Sequence, residues 1–427
     1  METGIQIYNL AKQLWGMNRS ITGEGVRQTL DIISKHIPKL KVHSVKTGTK
    51  VFDWIVPKEW HVNEAYIVTP SGNRICDFKN NNLHLVGYSI PFNKTISLKE
   101  LQNHLYSIPE QPDAIPYITS YYKEHWGFCI SEIERDKLED GEYQVIIDSK
   151  LFDGVLNYGE LIIEGDSKEE VFLSSYICHP SMANNELSGP TVLTFLAKWL
   201  TDLKKRKYNY RIILIPETIG SITYLSQHYA EMKANVVAGF NVSCIGDDRA
   251  YSFLPSRNGN TISDKVAIHV LKWLAPNYIN YSWADRGSDE RQYCAPGIDL
   301  PIASIMRSKF GEYPEYHTSL DNLIDVVTPK GLEGGYLALK YALELIEKNE
   351  KLKVSVFCEP QLSKRGLYPT LSTKKSGDEV RMMMNFISYC DGSHSVLEIA
   401  EKINVPSWEL YDLIEILKNH DLIVRVD

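Results

Sequence analysis

Nowhere in the 427 residues do roughly 18 apolar residues run together, the length needed to cross a bilayer. The amino terminus also lacks the basic segment and apolar core of a secretory signal. The sequence therefore predicts a cytoplasmic chain without a membrane partner. Paired cysteines are missing too. Cys76, Cys129, Cys178, Cys244, Cys294, Cys358 and Cys390 are scattered singly with no CxxC, which fits reduced thiols better than a disulfide framework. Positive charge is in deficit, with 46 Lys and Arg against 54 Asp and Glu. The net charge of -8 argues against nucleic acid as a principal partner. No internal repeat or low-complexity tract is visible. What is present, 43% apolar and 23% charged residues, is the composition of an ordinary globular chain of roughly two to four domains.

The periodicity changes along the chain. Residues 4–36 carry two helix patterns, one on Ile5, Leu10 and Leu14 and one on Val26, Leu30 and Ile33, separated by the turn Asn18-Arg19-Ser20-Ile21-Thr22-Gly23. From about 48 to 156 the texture becomes strand-like, rich in aromatics and turn residues. Trp54, Trp60 and Trp126 in this stretch can form a stacking surface or simply a core. Alternating strands (160–164, 171–177, 211–216, 236–244, 301–306) and helices (190–204, 220–233, 262–274, 331–348) then predict a mostly parallel sheet covered on both faces. The expected organisation is an α/β domain from 1–47 and 157–350, an inserted β-rich domain at 48–156 and a connector at 351–375. A winged helix-turn-helix is expected over 376–427. That last unit holds ten acidic and four basic residues, so the helix Trp408-Glu409-Leu410-Tyr411-Asp412 would repel phosphates. A protein partner is expected there, not DNA.

Chemistry concentrates at strand ends. Cys178-His179-Pro180-Ser181-Met182-Ala183-Asn184-Asn185-Glu186-Leu187-Ser188-Gly189 follows the strand-like run 171–177 and precedes a helix. A ligand there stands at the carboxyl end of a strand, where open α/β sheets place their sites. Pro216-Glu217-Thr218-Ile219-Gly220-Ser221 occupies a second such position, and Tyr316-His317-Thr318 carries another histidine.

These ordered motifs resemble the zinc aminopeptidase superfamily. The whole chain resembles a bacterial aminopeptidase-like family of unknown function, some of whose members are labelled polysaccharide biosynthesis proteins. The resemblance implies an αβα sandwich of the zinc aminopeptidase type with an inserted β-rich domain and a carboxy-terminal winged helix. It places His179 and His317 on the two histidine ligands and Ser188-Gly189 on the start of the following helix. Glu217 falls at the end of a strand where the superfamily has a Glu-Glu pair, and fits either the general-base slot or a ligand slot. Gly287-Ser288-Asp289 resembles the loop before the last strand, where Asp289, with Arg286 and Arg291 beside it, is a candidate for substrate binding. The departures are chemical. Ser181 stands where an Asp would orient the first histidine, Asn185 stands at the bridging Asp, and Ser243 stands at the third carboxylate. So little negative charge predicts one zinc ion or fewer, on His179, His317 and Glu217, with Asn185 a weak oxygen donor. Glu186, Asp247 or Asp248 can restore an anion.

Two functions follow. One is a zinc-dependent hydrolase of a small peptide or aminoacyl amide, with Glu217 moving the proton. The other is a catalytically inactive binding or scaffold protein in surface-polysaccharide biosynthesis that keeps the pocket without its chemistry.

Overall fold

The computed structural model describes residues 1–367 and 374–426. Its contacts divide into two compact units, Met1–Ser263 with Ile279–Leu337, and Asp264–Tyr278 with Ala338–Asp427.

The first unit is built on an eight-stranded sheet. In spatial order its strands are Lys41–Lys46, Val155–Ile163, Asn209–Ile215, Glu170–Tyr176, Val236–Asn241, Ile302–Met306, Ser252–Leu254 and Ile279–Asn280. The sequence predicts a mostly parallel sheet, and the structure is parallel at its centre and again at one edge, where Ser252–Leu254 pairs in parallel with Ile279–Asn280. At the centre Glu170–Tyr176 pairs in parallel with Asn209–Ile215 and Val236–Asn241, which pairs in parallel with Ile302–Met306. Towards the edges, Lys41–Lys46 with Val155–Ile163, Val155–Ile163 with Asn209–Ile215, and Ser252–Leu254 with Ile302–Met306 are antiparallel. The central strand Glu170–Tyr176 is buried at every position, as a strand covered on both faces must be. That burial explains the consecutive Val171, Phe172 and Leu173, in place of an alternating pattern, ahead of buried Ser174 and Ser175. The segments 30–47 and 157–177 share this one sheet, although a hundred residues of other structure separate them.

Helix Glu24–His36 buries Val26, Leu30 and Ile33, the stripe expected from its period. Helix Ser188–Asp202 is buried along nearly its whole first three turns. It starts hard against the sheet, because a Cβ on Gly189 would fall 2.4 Å from both Ser175 Oγ and the Val242 carbonyl oxygen. Only glycine lets the helix begin this close, and that closeness fixes the loop carrying His179.

The inserted segment has its own four-stranded antiparallel sheet, ordered Arg74–Ile75, Glu59–Val68, Glu142–Phe152 and Phe92–Ser97. It does not have its own core. One apolar cluster runs from Val51, Ala65, Phe128 and Val145 of the insertion into Phe172, Tyr176 and Ile213 of the central sheet, so insertion and sheet lie in one compact unit.

In the second unit, strands Asp391–Ser395, Lys351–Val354 and Ile423–Arg425 form a three-stranded antiparallel sheet. The segment expected as a connector thus opens with the central strand of that sheet. A strand of four residues flanked by charged ones shows no period long enough to mark it. Helix Val396–Ile403 starts in a capping box between Ser395 and Glu398 and ends on Asn404 in the left-handed region. Leu352, Phe386, Ile399, Leu410 and Leu417 form the core of the unit. No helix among the described residues is long and apolar enough to cross a membrane.

Candidate active site

The site lies at the carboxyl ends of the parallel strands, and its backbone is strained there. Ser181, Thr218, Cys244 and His317 all take positive φ, at 25°, 62°, 48° and 56°. Non-glycine residues avoid this region, and such strain persists only where surrounding packing over-determines it. Between Ser181 and the helix, Ala183–Leu187 forms a π-helical turn, the wider winding that recurs at functional positions. Asp321 holds it, accepting from the backbone N–H of Asn184 at 2.7 Å and of Asn185 at 2.9 Å and from the Tyr313 hydroxyl at 2.9 Å. Burial nevertheless pushes the Asp321 carboxyl up to about 6.

The π turn aims Glu186 at His179. The Glu186 carboxylate lies 2.9 Å from His179 Nδ1, while its other oxygen is 3.2 Å from Arg19 Nε. Arg19 and Glu186 are both completely buried, so each charge depends on the other. Arg19 also donates to the carbonyls of His179 at 2.9 Å and Leu14 at 2.7 Å. Burial opposes charge on His179, but the neighbouring Cys178 sulfur and the Glu186 carboxylate overcome it and hold the imidazole well above its ordinary value. Cys178 itself is pushed up to about 11 by burial and is a neutral thiol near pH 7, so Glu186 carries most of that effect. A carboxylate on Nδ1 fixes the ring and leaves Nε2 facing the site, the arrangement in which histidines are presented to metals. Glu186, expected as a possible ligand, instead orients His179. It takes over the task that Ser181 cannot perform.

His179 Nε2 faces Glu217, 3.6 Å from its Oε2. Ser288 Oγ donates to Glu217 Oε1 at 2.9 Å. Burial raises the Glu217 carboxyl and the charge of His179 works against the rise; its side chain stays 21% exposed. The loop behind it is tied by Glu290, which accepts from the N–H groups of Gly287 and Ser288 at 2.8 and 3.0 Å and from Asn241 at 3.1 Å. Asp289 is fully buried. Its Oδ1 accepts from Thr218 N–H and Ser221 Oγ, both at 2.8 Å, and Oδ2 has no hydrogen-bond partner. Burial and then the charge of Glu217 push it up to about 8, which leaves it protonated near neutral pH. It anchors the strained turn after Glu217 and is not open to substrate. Arg291 donates to Thr218 Oγ1 at 2.8 Å and its charge reaches Glu217. Arg286 lies elsewhere, its guanidinium 5.2 Å over the Trp283 ring.

The ring of His317 lies 5.7 Å from that of His179. Burial and the nearby His179 cation push His317 down to about 3, so it is neutral. Tyr316 stacks on it at 3.9 Å, and Tyr117 meets the rings of His179 and His317 edge-on at 5.3 and 5.2 Å. Tyr117 comes from the inserted segment and donates its N–H to the His317 carbonyl at 2.8 Å. Arg19, Tyr117, Asp321 and Ser288 complete the site without having been chosen as site residues in the sequence. Arg19 stood in a noted turn; Tyr117 gives no local signal at all.

Two metals do not fit these residues. Asn185, at the bridging position, accepts at Oδ1 from the Tyr176 hydroxyl at 3.1 Å, and its buried Nδ2 is unpartnered. Ser243 is a buried hydroxyl with no hydrogen-bond partner. Asp247 is committed to Ser308 N–H and Oγ, Arg249 N–H and Asn184 Nδ2. Asp248 faces Thr328 and Lys330. One ion fits better. Tetrahedral zinc with bonds of about 2.0–2.2 Å separates two ligand atoms by roughly 3.3–3.6 Å, the spacing between His179 Nε2 and Glu217. Among the described residues, the set of three metal-type ligand atoms within 4.8 Å of one another is Cys178, His179 and Glu186. His317 stands outside it. That set is closed off, because Arg19 occupies Glu186 and the Glu217 N–H donates to Cys178 Sγ at 3.1 Å.

Residues 8–349 match the family model described as "Domain of unknown function (DUF4910)", and residues 350–425 match one described as a winged helix-turn-helix. The chain belongs to the DUF4910 family. A Clostridium acetobutylicum relative, named "Putative polysaccharide biosynthesis protein with aminopeptidase-like domain", is 46% identical over 404 residues, covering 94% of this chain and 92% of its own. A crystal structure described as a "putative peptidase" from Clostridium acetobutylicum is 43% identical and superposes with a TM-score of 0.93, over 100% of this chain and 97% of that one. The zinc aminopeptidase of Bacillus subtilis shares the fold, with a TM-score of 0.59 at 12% identity over 80% of this chain and 94% of that one. The DUF4910 core is thus an aminopeptidase-like α/β fold, followed by a winged helix.

Proposed function

We propose that this chain is a cytoplasmic hydrolase of a small peptide or aminoacyl amide that works with a single zinc ion. The observation carrying the proposal is the line from Arg19 through Glu186 and His179 to Glu217 and Ser288, in which hydrogen bonds join Glu186 to His179 and Ser288 to Glu217, Arg19 lies 3.2 Å from Glu186, and His179 Nε2 faces Glu217 at 3.6 Å. A scaffold needs only the shape of a pocket. It gains nothing from a buried ion pair that costs several kcal/mol to desolvate and serves to aim one imidazole.

His179 Nε2 and Glu217 would hold the ion, with His317 as a third donor. Bound there, it supplies polarisation of the amide carbonyl and of water. Within the chain, Glu186 keeps the Nδ1 proton and so fixes which nitrogen faces the substrate. Glu217 would hold the ion through Oε2, the oxygen that faces His179, and leave Oε1, on Ser288, to accept and return a proton. Ser288 orients it. Tyr117 and Tyr316 give the pocket apolar walls beside the histidines.

The test compares metal content and turnover of small aminoacyl amides by wild type and Glu217→Gln, each with and without chelator. Turnover abolished by chelator and by Glu217→Gln is expected. A protein that binds such amides but turns none over, in any metal state, would favour the scaffold reading.

A further inference from the structure

The aromatic residues of the inserted segment fall into two groups. Trp60 and Trp126 are buried; Trp60 stacks on Tyr88 at 5.6 Å and Trp126 on His104 at 3.7 Å. They are core. Trp54 is 41% exposed and lies 6.1 Å from Tyr122, itself 51% exposed, whose hydroxyl donates to the Ile55 carbonyl. Tyr122 also lines a cavity of about 640 Å³ bounded by Lys58, Tyr88, Tyr121, Lys123 and Lys150. Lys58 and Lys123 have no carboxylate partner among the described residues, and Lys150 lies over the Phe152 ring. Glu124 is the one acid in the lining, against three lysines. The cavity shares a wall with the active site. Tyr121 meets Tyr88 edge-on at 5.9 Å on the cavity side, and its electrostatic influence reaches Tyr117, whose ring meets both histidines.

We propose that this cavity is a binding site for an anionic sugar, and that the sugar is the part of the amide substrate beyond the scissile bond. The second clause rests on the hydrolase reading; the first does not. The exposed Tyr122 ring on the cavity wall matches the C–H face of a sugar ring. Unpaired lysines match a phosphate or carboxylate on it. The volume lies within the range of small-molecule sites and exceeds what a free amino acid fills. Tyr121 on the cavity wall separates such a ligand from Tyr117, whose ring meets His179 and His317.

Calorimetric titration of the full chain tests this with glucose 1-phosphate, glucuronate, uncharged glucose and inorganic phosphate, against wild type, Tyr122→Ala and the pair Lys58→Gln, Lys123→Gln. The positions are exposed, so the variants keep the core. One of the two anionic sugars is expected to bind saturably below about 1 mM, the upper end of ordinary substrate affinities. Glucose and inorganic phosphate should bind at least about tenfold more weakly, and each variant should lose about tenfold or more. Which sugar binds tells phosphate from carboxylate. No saturable binding by either sugar, equal binding by inorganic phosphate, or variants that bind like wild type would overturn the site. Glu217→Gln and chelator should leave the affinity unchanged. Binding that persists without any hydrolysis would sink the hydrolase reading and leave the sugar site standing.

Discussion

Arg19 shows what a single residue contributes here. It is fully buried, spans Leu14 and the His179 loop through two carbonyls, and faces the one carboxylate that orients His179. Arg19→Ala leaves the buried Glu186 with His179 as its remaining charged partner and removes the bonds to the His179 and Leu14 carbonyls, so a loss of about 3–5 kcal/mol is expected in chemical denaturation. A loss under about 1 kcal/mol would show that the pair is not load-sharing. Asp321 works the other way, since its folded-state value of about 6 lies above the ordinary 3.8. A raised carboxyl favours folding fully below the unfolded value and loses that contribution as pH rises through about 6. Wild type should therefore lose part of its advantage over Asp321→Asn between pH 4 and 7, read as the difference in thermal midpoint. A difference constant with pH would count against the assignment. At this scale the short motifs at strand and loop ends single out His179, Glu217 and His317, which the structure places near one another. Glu186 and Asp289 are expected as a ligand and a substrate contact, and the structure sets them on His179 Nδ1 and on the Thr218 turn. Both are acids whose roles depend on which way the backbone turns, through a π turn in one case and a positive φ at Thr218 in the other.

Among the elements, the π turn Ala183–Leu187 sets the metal chemistry. It presents Asn185 where its Nδ2 finds no partner. Asn185→Asp removes that orphaned donor and supplies a charged oxygen, so zinc affinity should rise on the order of tenfold. Calorimetry should still give one ion or fewer per wild-type chain. Two tightly held ions in wild type would show that the neutral positions do not limit the site. The winged helix makes a different prediction, from charge alone. Helix Tyr411–Asn419 carries Asp412 in its first turn, and the ten acids of the tail outnumber its four bases. Salt-sensitive binding to random duplex DNA should be absent, because too few cations are available to displace counterions. Submicromolar affinity at physiological salt would refute this and weaken the expectation of a protein partner. Element boundaries were read well where the period was long, as in helix Glu24–His36. The four residues Lys351–Val354 escaped because pairing, not periodicity, makes them a strand.

Across the whole molecule, the family boundary and the physical boundary differ. The two family matches meet between residues 349 and 350, whereas the compact units divide inside helices Ile262–Leu274 and Pro329–Lys348. The reason is packing within the second unit. Trp408 lies on Tyr341 at 4.5 Å, Lys348 lies over the Tyr411 ring at 4.3 Å, and buried His269 accepts from the Ser407 N–H at 3.0 Å while Glu401 takes its other nitrogen. The parts of both helices that belong to this unit are thus half of the support for the winged helix. Sequence reading could not see this, since amphipathic helices declare a buried face but not what buries it. A chain ending at residue 349 should therefore not behave as a complete domain. It removes Trp408, Ser407, Glu401 and Tyr411, the partners of Tyr341, His269 and Lys348. We expect its thermal midpoint to fall by at least about 5 °C, given roughly 2–4 °C per kcal/mol in chains of 150–250 residues. Size-exclusion chromatography should show self-association through the uncovered helices. A monomeric truncation that melts with wild type would place the physical boundary at residue 350 after all, and would make the winged helix an appendage rather than half of a shared unit.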